Sequence, residues 1–150
     1  MTIFAELLAD HDRQRRLCER LLDGNDSNGD SGKRRAIFLR LKEELQRHAK
    51  AEEQVLYAPM LEIEQTRELA QHSIAEHQEV NQLLEQLGCA EMDSPRWHAL
   101  ASTLKQKLLQ HLDEEERVVF RLAGKAFSCL QKDHLGEQYR MQIREERAAA

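Results

Sequence analysis

Residues that build sheets and turns are scarce in this 150-residue chain: aromatics make up 5%, beside six glycines and two prolines. That scarcity argues against a β-sandwich or barrel and for long helices. No apolar run approaches the roughly 18 residues of a membrane span, so no membrane partner is expected. The cysteines are three, Cys18, Cys89 and Cys129, far apart and outside any C-x-x-C pair. They make neither a disulfide framework nor a thiolate zinc site; a reducing compartment is expected, with Cys18, alone or together with the other two, as a small core residue. Met1–Phe4 carries no basic leader, so a cytoplasmic location is expected. Basic charge is not in excess: 22 basic against 27 acidic residues give −5, which removes the electrostatic case for a nucleic-acid partner. What is abundant is histidine, with seven.

Turn chemistry divides the chain. Gly24–Gly32 is a nine-residue loop signal without an apolar side chain, and Gly88–Ser94 is a second, with Ser94 as N-cap and Pro95 at the first helical position. Pro59 and Gly124 mark further breaks. Between them apolar residues recur at helical spacing: Phe4, Leu7, Leu8, Cys18, Leu21 and Leu22; Phe38, Leu41, Leu45, Val55; Leu69, Ile74, Val80, Leu84; Trp97, Leu100, Leu104, Leu108, Val118. The expected fold is all-α, an antiparallel up-down-up-down four-helix bundle over residues 1–124. Residues 125–150 form an additional C-terminal helix, through Phe127, Leu130, Leu135 and Ile143, packed on the bundle or fraying at its arginine- and alanine-rich end.

Each core stripe carries one histidine: His11, His48, His77 and His111. At about 1.5 Å per residue, His11 lies roughly 18 Å before the end of its helix and His48 roughly 21 Å after the start of the next. Similar counts for His77 and His111 put all four within about a turn of one level. Glu52 and Glu115, four residues after His48 and His111, share their faces. An internal duplication repeats the pattern. ADHDRQRRLCERL around His11 aligns without gaps to AEHQEVNQLLEQL around His77, and LQRHAKAEEQVLY to LLQHLDEEERVVF, at offsets of 66 and 63 residues. Each half is a helical hairpin with a lone histidine and then H-x-x-x-E-E.

A single histidine on an apolar stripe is ordinarily a hydrogen-bonded core residue. Six polar groups at one depth are another matter, because burying two carboxylates without partners costs several kcal/mol each. Something cationic is required; two dry His–Glu pairs are the metal-free alternative. Imidazole and carboxylate without thiolate suit iron, manganese or zinc. Six side chains are too many for one tetrahedral zinc, but divided over two ions they give each two histidines and one oxygen from each of two bridging glutamates. A bridging oxide or hydroxide completes a fifth position and leaves about one open. Neither Glu-x-x-His nor H-E-x-x-H occurs, which sets aside ferritin-like di-iron and zinc-protease sites.

The order His11, His48-x-x-x-Glu52-Glu53, His77, His111-x-x-x-Glu115-Glu116 resembles the hemerythrin-like HHE cation-binding domain, as do the runs Val55–Pro59 and Val118–Phe120, over about residues 1 to 145. The resemblance implies a four-helix bundle holding two non-haem irons (Fe–O–Fe or Fe–OH–Fe), with zinc, manganese or nickel able to substitute. Family members bind dioxygen, sense iron or oxygen, or act on nitric oxide and damaged iron centres. Oxygen carriers have a further histidine one turn before the third-helix ligand; here that position is Ser73, and the four-His, two-Glu set resembles the iron-sensing and iron-centre-repair branches instead. The expected metal ligands are His11, His48, Glu52, His77, His111 and Glu115, with Glu53 and Glu116 as the alternative carboxylates. Tyr57 is either a core aromatic or a hydrogen-bonding neighbour of the site. His72, His98 and His134 are solvated, and Trp97 plugs one bundle end. Three functions follow: a di-iron protein that binds or senses dioxygen, nitric oxide or iron; a di-iron redox enzyme acting on nitric oxide, peroxide or damaged iron centres; or a metal-free helical adaptor.

Overall fold

The computed structural model describes residues 1–23 and 31–149. Among these residues there is no strand, and five helical rods account for the architecture. They are α1 (Ile3–Leu22), α2 (Ser31–Glu52), α3 (Glu64–Cys89), α4 (Pro95–Glu114) and α5 (Cys129–Ala149). The α2 rod continues through a π-helical turn, Glu53–Tyr57, into Ala58–Leu61, and the α4 rod likewise through Glu115–Val119 into Phe120–Ala126. The first four rods make a helical bundle, and α5 is added to it against α1 and α2.

Local chemistry sets the helix ends. The Thr2 hydroxyl accepts from the Ala5 N–H at 3.3 Å, and Ser94 caps α4 by accepting from Trp97 N–H at 3.1 Å, with Pro95 following. Several boundaries differ from the sequence reading. Pro59 and Gly124 lie inside helical stretches, and the chain turns a few residues later, at Glu62–Ile63 and Phe127–Ser128. Pro59 sits directly after the π turn, at the start of Ala58–Leu61. Gly88 and Cys89 are still helical. Of the Gly24–Gly32 loop, residues 24–30 lie outside the described residues, while Ser31 and Gly32 begin α2.

The core has two apolar clusters. One joins Leu17, Leu21, Phe38, Leu41, Leu84, Leu87, Leu104 and Leu108, with Trp97 fully buried among them. The other joins Ile3, Leu7, Leu56, Met60, Ala70, Phe120 and, from α5, Leu135 and Tyr139. The histidines and glutamates lie between these clusters. Two stripe residues face outward instead: Leu8 is 41% and Leu130 83% exposed. Cys18 is buried, and burial pushes its thiol up to about 11, whereas Cys89 and Cys129 are exposed rather than core residues.

α5 is helical to Ala149 and is held by close packing. Gly136 is buried against the N-terminal backbone, where an added Cβ would overlap the Met1 carbonyl oxygen. Arg140 also pairs with Glu6 on α1. The contact brings Tyr139 into the interior, 2% exposed, beside a site residue.

Candidate metal centre

Four helices each deliver one imidazole to a single buried layer: α1 His11, α2 His48, α3 His77 and α4 His111. Glu52 ends α2, and Glu115 opens the π turn after α4; the two are 0% and 1% exposed. Each glutamate stands between the two hairpins. Glu52 lies 3.4 Å from His48 Nε2 and 3.2 Å from His77 Nε2, while Glu115 lies 3.4 Å from His111 Nε2 and 3.0 Å from His11 Nε2. The potential ligand atoms of these six residues fall into two groups, His11–His48–Glu52–Glu115 and His77–His111–Glu52–Glu115, each with its atoms within 4.8 Å of one another; a third such group among the described residues, His72–Glu76–Glu114, lies nearer the surface. Each of the first two groups contains both buried carboxylates.

The inward atoms are not otherwise used. The Nε2 atoms of all four histidines, both Glu52 oxygens and Glu115 Oε1 are buried and lack a well-formed hydrogen bond. Such a set of orphaned donors and acceptors in a native core calls for a ligand. Nitrogen and oxygen donors in two adjoining four-atom groups fit two first-row divalent ions.

The outward ring nitrogens meet a second row of acids. Glu116 accepts from His11 Nδ1 at 2.8 Å and from Arg15 at 2.6 Å, and Glu76 accepts from His111 Nδ1 at 2.9 Å. Glu53 stands 3.7 Å from His77 Nδ1. His48 Nδ1 is shared by Asp10 at 3.1 Å and the Tyr139 hydroxyl oxygen at 2.8 Å, and Tyr139 donates its own proton to Asp10. Such partners orient an imidazole and raise its basicity toward a metal. The second glutamate of each E-E pair therefore serves the outer nitrogens, while the first turns inward.

Charge follows the same geometry. Burial opposes ionisation of Glu52, but His48 and His77 outweigh it and hold the carboxyl well below its usual range. Burial also opposes charging the imidazoles. Glu52 and Asp10 nevertheless raise His48 well above its ordinary value, and Glu52 and Glu53 bring His77 up to about 9. Asp10, despite burial, is lowered to about 2 by His48, Tyr139 and Arg13. Glu52 thus demands positive charge beside it, as protons on the rings or as metal cations in their place.

Residues 2–123 match the family model described as the hemerythrin HHE cation binding domain. The chain belongs to the hemerythrin HHE cation-binding family. Neither the curated proteins nor the solved structures searched gave a match. The family match ends before α5, so the Tyr139 contact comes from outside the hemerythrin-matched segment.

The π turns explain where this hemerythrin domain puts its aromatics. Five residues along an α-helix turn a side chain about 140° from its start. The wider i→i+5 turns after Glu52 and at Glu115 bring the fifth residue back toward the centre. Tyr57 thereby donates to Glu115, and burial together with that carboxylate pushes its phenol well above its usual range. Phe120, its counterpart, stacks on His11 at 5.7 Å. Tyr57 is thus both a buried aromatic and a partner of the site, and the buried Ser73 lies beside it.

The remaining histidines take no part: His72 and His98 are about half exposed, and His134 is exposed. Residues missed from sequence are Asp10, Glu76, Tyr139 and Gln14, the last 1% exposed. A signal existed for two of them, because the duplication aligns Asp10 with Glu76, an acid immediately before each lone histidine.

Proposed function

We propose that this chain is a non-haem di-iron protein that binds or senses dioxygen, nitric oxide or iron. His11 and His48 would hold one iron, His77 and His111 the other, and Glu52 and Glu115 would bridge both. The observation that carries this reading is that both four-atom groups share the same two buried carboxylates. Iron bound there supplies reversible one-electron redox chemistry and open positions for a diatomic ligand. The protein's part is to orient. Glu116, Asp10 and Glu76 hold the outer nitrogens of His11, His48 and His111, with Glu53 3.7 Å from that of His77, so that each Nε2 faces the centre. Tyr57 holds Glu115 by its hydroxyl. Zinc, manganese or nickel fit the same donors, and the three free cysteines suit a cytoplasmic setting.

The test is metal content with an absorption spectrum. Protein loaded anaerobically with ferrous iron should hold about two irons per chain, and oxygenation should produce near-ultraviolet charge-transfer absorption that reverses on reduction. Less than about half an iron per chain overturns the reading. A di-iron redox enzyme is the second reading, favoured by a cavity of about 320 Å³ that reaches three of the histidines. Steady consumption of nitric oxide or peroxide with a reductant separates it from a reversible binder. The metal-free adaptor leaves the orphaned Nε2 atoms without a purpose.

A further inference from the structure

The cavity beside the centre is apolar on one side, where Leu45, Val80, Leu84 and Leu108 line it, and it reaches His48, His77 and His111. The exposed Gln46, Lys50 and Asn81 mark its opening between α2 and α3. Within this lining Gln14 stands apart. It is 1% exposed, and neither its amide nitrogen nor its amide oxygen has a hydrogen-bond partner. A buried amide left unpaired destabilises the fold, since it has lost water and gained nothing in exchange.

Packing does not require an amide there. Gln14 follows His11 by three residues, and in the duplicated hairpin the residue three after His77 is Val80, which lines the same cavity. Valine fills one of the two matched places; glutamine in the other adds a donor and an acceptor that no protein group uses. The amide therefore occupies one of the two matched places only.

We propose that the Gln14 side-chain amide is the hydrogen-bond donor for the outer atom of a small ligand bound at the metal centre, a specificity-determining residue for ligands whose outer atom is electron-rich. The suited class is a di- or triatomic species that accepts an N–H hydrogen bond, such as a reduced diatomic gas or a small linear anion. The proposal rests on the di-iron reading above. The apolar residues Leu45, Val80, Leu84 and Leu108 lower the polarity around the amide, which strengthens a single donor, and the amide carries no charge that would oppose the metal cations.

The experiment uses the full chain loaded with ferric iron and azide as the probe, comparing the wild type with Gln14→Val, which copies the matched residue of the other hairpin. Iron per chain is measured first, then azide affinity from the charge-transfer band, then the azide antisymmetric stretch in H2O and D2O. The expected result is unchanged iron content, azide affinity weakened about tenfold in Gln14→Val, and a deuterium shift of the stretch present in the wild type and lost in the variant. Iron bound in both with azide affinities within about twofold overturns the proposal and leaves the di-iron reading standing. A deuterium shift that is absent from the wild type, or survives in the variant, does the same; the wild-type arm holds even if Gln14→Val fails to fold. A wild-type chain that takes up no iron overturns both.

Discussion

The two hairpins of this protein are near copies in their ligand atoms and outer acids, and differ in the other side chains around them. His11 and His77, His48 and His111, Glu52 and Glu115 occupy matched places, and each outer nitrogen faces an acid. Around the first hairpin's His48 stand Asp10 and Tyr139, the latter from a helix with no duplicate. Around His111 stands Glu76 alone, partly open to solvent. Tyr57 is matched by Phe120, and Gln14 by Val80. Duplication preserved what a metal pair would need from both halves, and divergence made the two positions inequivalent.

The largest expected effect tests what the hairpins share. Glu52→Ala removes a donor common to both groups, so iron should fall from about two per chain to under about one half, whereas His77→Ala should keep about one. Metal analysis after anaerobic loading distinguishes these; equal loss in both variants would break the picture of two half-sites.

Next comes pH, which acts on the metal-free chain. His77 has its pKa raised from 6.5 to about 9, so its ion pairing stabilises the fold fully below pH 6.5 and is lost as pH rises through 9. The change is on the order of 3 kcal/mol. Asp10 has the opposite sign: lowered to about 2, it stabilises above its unfolded value near 4 and loses that contribution as pH falls toward 2. Thermal melts at acid, neutral and alkaline pH should therefore give a maximum between these limits. Metal uptake should strengthen with pH up to about 9, because the cation must displace the His77 proton.

Tyr139→Phe separates the hairpins directly. It withdraws a hydroxyl from His48 and Asp10 with no counterpart at His111, so metal held by His11 and His48 should weaken about 10–100-fold while the other position changes little. Chelator competition should then show two well-separated steps where the wild type shows closer ones. The smallest effect makes the halves more alike. Tyr57→Phe matches Phe120 and frees Glu115 of one hydrogen bond, for a loss of about 1 kcal/mol in a denaturant melt.

Much of this was legible in the sequence because helical periodicity is local. Histidine and glutamate at i and i+4 share a face in any α-helix, apolar stripes state which face is buried, and a gapless repeat places the two halves in equivalent frames. The bundle and the converging His and Glu residues follow from those three facts. Other features depend on contacts between distant segments. Whether Asp10 reaches His48, or Glu76 reaches His111, depends on helix depth and rotation, which periodicity leaves free by about a turn.

By itself, then, the sequence determined the helical bundle, its duplicated hairpins and the six inward donors, since all of these rest on spacing along single helices. Only the tertiary structure decided that the π turns swing Tyr57 and Phe120 back to the centre, that α5 delivers Tyr139 to one histidine of four, and that Gln14 faces a cavity unpartnered. Backbone hydrogen bonding one residue out of α register, a glycine-permitted helix contact and a void between side chains are properties of packing. They arise only when the rods meet.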